Sequence, residues 1–333
     1  MLLKKHLNRW VPLGLLFCIV ACSGDQAVEI SVTNTLSEAR PDAHIVIKRD
    51  SLDKYDALPN GDFFEITDRE QNTVPYQLDD LDGDGHWDEM ALVYSLPAES
   101  TRSLFLRSSN NDPVPSFIDR AQVWFAKYDS TTGSYNELKS EVHPGDYERD
   151  FTTPFYYQFE GPGWENDRIG FRIYFDERNA FDIWGKQTSD LVLQDVGIGG
   201  DNYHSLADWG MDILHVGNSL GGGAIAAKMD EELYRLQNTS EETFTEVTDG
   251  PVRAIFDLTY SNWPVGDEEY SIKERISIWA GDQGYLNEVS LTGPQHSINL
   301  IAGMVTSKLN GEAELWYWLF PVPIFVESRP SEL

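Results

Sequence analysis

The chain has 333 residues, 41% of them hydrophobic, which is enough for a sizeable core in one large or two ordinary domains. A formal net charge of -30 repels nucleic acid and anionic membrane surfaces, although a local arginine cluster can still hold an anionic substrate. The only cysteines are Cys18 and Cys22, both near the N-terminus, so the body has no disulfide, thiol nucleophile or cysteine metal site.

Residues 1–21 read as an export signal. Lys4, Lys5 and Arg9 precede an apolar run over 11–20 that is too short and wrongly flanked for a membrane span. The run ends Ile19-Val20-Ala21-Cys22, which resembles a bacterial lipobox. The implication is cleavage before Cys22, lipidation of its thiol, and an exported protein that meets a membrane only through the anchor. Residues 22–27 are the tether.

Residues 28–115 are predicted to form a smaller β-sandwich-like unit. "VEISVTN" and "AHIVIKR" alternate, "FFEITDREQNTVPYQL" reads as a hairpin, and "EMALVYSLPAESTRSLFLRS" supplies two more strands. Within it lies "DDLDGDGHWDE". Asp80, Asp82 and Asp84 alternate, followed by Gly85 and Asp88, which is the opening of a calcium loop. An EF-hand would place Glu at the twelfth position, which here is Ala91, and the flanks read as strands. The expectation is a structural calcium ion in a loop between strands, with a solvated acidic turn as the alternative.

Residues 116–309 are predicted to be the main β-sandwich, and 310–333 an atypical aromatic and proline-rich tail. "AIAAKMDEELYRLQN" is the best helix candidate, but it also reads as a strand pair turning at "MDEEL". In "RIGFRIYFDER", alternation puts Ile169, Phe171, Ile173 and Phe175 on a core face and Arg168, Arg172, Tyr174 and Asp176 on the other. Two arginines, a tyrosine and an acid on one face suit a carboxylate or sulfate. Internal Arg–Asp pairing on a solvated face is the competing reading. Trp164, Glu165, Arg178, Asn179 and Trp184 flank this strand and suggest a sugar cleft.

"DNYHSLADWGMDILHVGNSLGGG" adds Tyr203, His204, Asp208, Trp209, Asp212, His215 and Asn218. His204 lies in a polar loop where functional groups are displayed, whereas His215 reads as a core histidine in an apolar strand. The same stretch spells Gly217-Asn218-Ser219-Leu220-Gly221, the G-x-S-x-G of a nucleophile elbow. The surrounding β-rich chain and the three glycines at 221–223 argue against the strand-to-helix turn that an elbow needs. They point instead to a bend where backbones approach closely. Asp267 and His296 lie downstream without a supporting motif.

Together, "VPYQLDDLDGDGHWDEMALV", "ENDRIGFRIYFDERNAFDIWGK" and "DWGMDILHVGNSLGGGAIA" resemble the bacterial lipoprotein family called domain of unknown function 4861, over roughly residues 28–305. The resemblance implies an all-β, antiparallel, galactose-mutarotase-like super-sandwich in a uronic-acid polysaccharide setting. It also implies elimination chemistry on uronate ends, as a lyase or an oligosaccharide dehydratase. On that reading Arg172 and Arg168 clamp the carboxylate with Asn218, and His204 or Tyr203 takes the proton. A second, unassigned group protonates the leaving oxygen, Tyr174 is a further catalytic candidate, and Trp164, Glu165, Arg178, Asn179, Asp208 and Trp209 line the sugar. Two alternatives stay open. One is a glycoside hydrolase using two of Glu160, Glu165, Asp176, Asp182 and Asp208, and the other is a non-catalytic glycan-binding lipoprotein. The tail "WYWLFPVPIFVESRPSEL" departs from the family pattern and reads as a truncation or frame shift near Asn310.

Overall fold

The computed structural model describes residues 14–18, 27–53, 64–108, 116–144, 154–198, 202–294, 298–305 and 315–319. Cys22, Asn310 and His296 lie outside them. The fold is all-β and antiparallel, and the chain divides into two units, Met1–Ile118 and Asp119–Leu333.

The first unit contains β1 (Gly14–Cys18), β2 (Val28–Asn34), β3 (Arg40–Lys48), β4 (Phe64–Asp68), β5 (Tyr76–Asp79), β6 (Glu89–Leu96) and β7 (Ser100–Ser108). They form a β1-β2-β7-β4 sheet and a β3-β6-β5 sheet. β1 falls inside the expected signal segment and pairs with β2. Strict alternation in β2 buries Val28, Ile30 and Val32 against Ile45, Ile47, Met90 and Leu92 of the other sheet. The expected 63–78 hairpin pairs only at its turn, where Thr67 bridges Thr73 antiparallel. After a tight turn in which Val74 N–H donates to Ile66 O, the chain changes sheets, so β4 pairs with β7 and β5 with β6. Pro75 stands at the crossing, where its missing N–H ends the ladder.

The second unit runs β8 (Ala121–Trp124), β9 (Ala126–Asp129), β10 (Ser134–Glu137), β11 (Ser140–Pro144), β12 (Gly163–Asn166), β13 (Ile169–Ile173), β14 (Phe181–Lys186) and β15 (Gly210–Asp212). It continues with β16 (Gly222–Met229), β17 (Glu232–Arg235), β18 (Glu241–Thr248), β19 (Arg253–Val265), β20 (Glu268–Trp279), β21 (Tyr285–Thr292), β22 (Asn299–Val305) and β23 (Leu315–Leu319). The sheet orders are β11-β18-β19-β20-β21, β15-β14-β13-β12-β8 and β17-β16-β22-β23, with a small β10-β9 pair. All three larger sheets contribute to one core, built on Trp164, Phe171, Phe181, Ala226, Phe256, Ile276 and Ile301. "AIAAKMDEELYRLQN" is the β16–β17 strand pair, not a helix.

The core-facing row of β20 includes a buried carboxyl, Glu274, which accepts a hydrogen bond from Asn287 Nδ2. Burial pushes its pKa up from 4.5 to about 7. Between these two values the folded state holds a proton that the unfolded chain has released. The protonated carboxyl therefore favours the fold at low pH, and that contribution is lost as pH rises through about 7. Glu274→Gln is expected to flatten this slope, seen as a smaller fall in melting temperature between acidic and neutral pH than in the wild type.

Candidate functional site

The site lies on the face of the β12–β15 sheet that points away from the core. Period-two alternation sends Phe171 and Ile173 into the core and Arg172 to the opposite face. Asp182 lies directly across the ladder from Arg172, and Asp212 sits opposite Trp184 on β15. Segments 155–161, 187–198 and 202–209 cover this face. Gln158 Nε2 joins the first two by donating to Leu193 O and Val196 O. Gly161 makes the close cover possible, because a Cβ there would stand 2.2 Å from Ile173 O.

Arg172 is fully buried and all five of its N–H donors are used. Nε and Nη2 both reach Asp182 Oδ2, at 2.9 and 2.6 Å. Nη1 donates to Phe159 O at 2.7 Å and to the Tyr203 hydroxyl at 3.0 Å, while Nη2 also donates to the Tyr174 hydroxyl at 2.5 Å. Phe159 and Glu160 hold left-handed backbone, with φ of 40° and 70°, to present that carbonyl. The Arg172 pKa is raised: burial opposes its charge, but Asp182 and its other neighbours outweigh that. Burial, reinforced by Asp212 and opposed by Arg172, raises Asp182. Burial also raises Tyr203 and Tyr174, with Arg172 pulling both down.

The exposed His204 brings Nδ1 to 3.0 Å from Oδ2 of the buried Asp212. Asp212 Oδ1 accepts from Leu214 N–H, and its other oxygen lies 3.7 Å from Arg172 Nη2. The His204 ring packs on the Tyr203 ring, which stacks on Trp184. Trp209 is half-buried against Trp184. His204, Tyr203, Tyr174, Arg172 and Trp209 therefore belong to one cluster, and Arg178 joins it by stacking 3.5 Å over the Tyr174 ring.

Other expected site residues go elsewhere. Arg172 is no open clamp, since its donors are consumed internally. Arg168 is exposed in the turn before β13, roughly 13 Å along the strand from Arg172 at about 3.3 Å per residue. Trp164 is a core residue, stacked on Phe171 at 17°. Glu165 faces the site side but is fully buried. It pairs with Lys186 and accepts from Val192 and Leu193 N–H, which pins the covering segment. Asn179 is a buried turn residue, tied by Nδ2 to Leu236 O and Glu242. Asp208 and Asn218 are exposed, and Asn218 meets the rest of the site through its backbone carbonyl. His215 is exposed and lies outside any strand, because β15 ends at Asp212.

Ser219 Oγ donates to Val216 O and accepts from Gly221 N–H, so it closes a turn. Gly221 bridges to Phe181, and a Cβ there would lie 1.9 Å from Phe181 O. The glycines serve close backbone approach. Asp182, Asp212 and Glu160 were not expected to take part together. The cross-strand position of Asp182 relative to Arg172 was the one signal available for them.

In the first unit, the 80–88 loop joins β5 to β6. Asp80, Asp82 and Asp88 each offer a carboxylate oxygen within 4.8 Å of the others. Asp84 is not in that group, and all four carboxylates also accept backbone N–H: Asp84 from His86, Asp80 from Gly83 and Gly85, Asp82 from Asp84 and Asp88 from Leu81, the bonds of the Asx-turn alternative.

The second unit thus carries a buried Arg172–Asp182 hub beside the exposed His204 and its buried neighbour Asp212. The sequence matches the family described as Domain of unknown function (DUF4861) over residues 32–317, and the chain belongs to that family. A curated relative, Uncharacterized protein P7 of Formosa agariphila, is 26% identical over 148 residues, which span 39% of this chain and 37% of that protein. Two solved structures from Enterococcus faecalis are similar at 10% identity. One is a protein in glycosyl hydrolase family 38, with a TM-score of 0.42, and the other an alpha-mannosidase, at 0.41. Each similarity covers 84% of this chain, but only 33% and 32% of the respective structures.

Removing Arg172 leaves Asp182 buried without its counter-charge. Arg172→Met is expected to lower stability by about 3–5 kcal/mol, read from denaturant unfolding. Arg172→Lys should not rescue it, because an ammonium cannot reach all the acceptors of a planar fork.

Proposed function

We propose that this protein is an enzyme acting on uronic-acid-containing oligosaccharides by β-elimination. The observation that carries the reading is the His204–Asp212 pair. A buried carboxylate oxygen, Asp212 Oδ2, has no hydrogen-bond partner and lies 3.0 Å from Nδ1 of an exposed imidazole; a small ring rotation would align the two, orient the ring and leave Nε2 for a substrate proton. The uronate setting comes from the family resemblance. The proton next to a uronate carboxylate is weakly acidic, and its removal is a task for such a base.

On this reading His204 Nε2 takes the proton from C5. The C5–H electrons form the C4–C5 double bond as the C4–O bond breaks. The leaving oxygen takes its proton from the Tyr203 hydroxyl. That hydroxyl accepts from Arg172, so its own O–H remains free to donate; burial raises its pKa, and the guanidinium charge offsets part of that rise. Arg172 is a positioning residue here. Loss of water from C4 makes the enzyme a dehydratase, and loss of a sugar makes it a lyase.

The 80–88 loop belongs to the same proposal as a structural calcium site. Three carboxylate oxygens within 4.8 Å of one another are close enough to share one ion after small side-chain adjustments, and hard oxygen donors are what calcium takes. Calcium is expected to raise the melting temperature of the wild type and a chelator to reverse it. Asp88→Asn should lose the response; an unchanged wild-type melt removes the ion from the account.

The activity is tested by incubating the protein with a panel of uronate oligosaccharides and following product mass and near-ultraviolet absorbance. A dehydrated or unsaturated product is expected, and His204→Asn should lower kcat roughly 10²–10⁴-fold. Asp212→Asn should lower kcat with little change in KM. Scission without an unsaturated end would mean hydrolysis, and binding without turnover a glycan-binding protein; either overturns the reading.

A further inference from the structure

Arg235, at the end of β17, stands out among the buried polar groups. Its Nη2 donates to Arg178 O at 2.7 Å and its Nη1 to Asn218 O at 3.2 Å. Its Nε is buried and donates to nothing. Among the described residues it forms no ion pair with a carboxylate. In a chain of net charge -30, a half-buried guanidinium without an acid partner needs an explanation.

Its neighbour sharpens the point. Arg178 gives Nε to Asp176 and Nη2 to Asp176 and Glu160, while its Nη1 makes no hydrogen bond. Arg178 thus keeps an open edge while it stacks on Tyr174, inside the cluster described above. Burial first, and then the Arg178 charge, lower the Arg235 pKa, and Asp176 offsets part of that. A purely structural clip between the 176–179 and 216–221 turns would account for the two carbonyl contacts. It would not account for a buried Nε–H without an acceptor.

We propose that Arg235 and Arg178 form an oxyanion subsite that recognises the carboxylate, or a sulfate ester, of an acidic sugar. The inference rests on the proposed function and moves recognition of the anion away from Arg172, whose donors are spent. A bound oxyanion would supply the missing acceptor for Nε, cancel the repulsion between the guanidinium groups, and accept from the open edge of Arg178. Asp176 and Glu160 would then orient Arg178 without neutralising Arg235.

The test follows the arginine side-chain Nε–H resonances of the full chain during titration with sodium glucuronate, sodium sulfate and glucose. The Arg235 signal is identified by its loss in Arg235→Lys. It is expected to shift with glucuronate and to stay still with glucose, and Arg235→Gln should weaken glucuronate binding roughly tenfold or more. A shift with sulfate alone supports the subsite and assigns it to sulfate esters. A signal moved by neither anion, or moved equally by glucose, overturns the inference, as does wild-type affinity in Arg235→Gln. His204→Asn should bind the anion as the wild type does, which separates the two proposals. Arg235-dependent binding without turnover sinks the elimination reading and keeps the subsite. Elimination indifferent to Arg235 and Arg178 does the reverse.

Discussion

Arg172 and Asp182 hold the second unit's site together. A guanidinium with no exposure survives only if every donor is met, and here each is. The consequences spread outward from that requirement. The carbonyl of Phe159 must face inward, which forces left-handed backbone at 159 and 160. The hydroxyls of Tyr174 and Tyr203 must converge on one cation. Asp212 must approach the same charge, and so it is in place to orient His204. The covering segments are held down partly by this hub and partly by Glu165, which spends its carboxylate on Lys186 and two backbone N–H groups.

The charge balance around the hub is uneven. Glu160, Asp176, Asp182 and Asp212 surround Arg172 and Arg178, and burial opposes the charged form of Asp182. This local excess of acid makes Arg235 conspicuous, since among the described residues it forms no ion pair with a carboxylate and Asp176 acts on it only from farther off. The acidic total of the chain therefore says little about the sign of a ligand at this site. The field at a few ångströms is set by which charges are already paired.

Much of the fold was legible because sheet alternation is local. The Phe171–Ile173 core face, the β16–β17 strand pair and the all-β class follow from period-two patterning and turn residues. His204 was legible as a displayed polar residue in a loop. The errors have a common cause. The 163–185 sheet is covered on both faces, so Trp164 and Glu165, adjacent in sequence, both vanish from solvent in opposite directions. Residue type alone could not tell a core indole from a sugar platform, nor a spent carboxylate from a free one. His215 failed in the opposite way, because the apolar run around it continues past the last strand residue, Asp212.

Alternation, turn residues and the motif blocks were enough for the family, the all-β class and the set of polar residues sent away from the core. How those residues are used was not readable until the sheets were assembled. Pairing of Arg172 with Asp182, of His204 with Asp212, and of Ser219 with its own turn depends on cross-strand register and on covering segments far away in the chain. The physical reason is that a hydrogen-bonding group is defined by its partner. Alternation fixes the face a side chain occupies, but packing fixes whether its donors and acceptors are spent or left for a ligand.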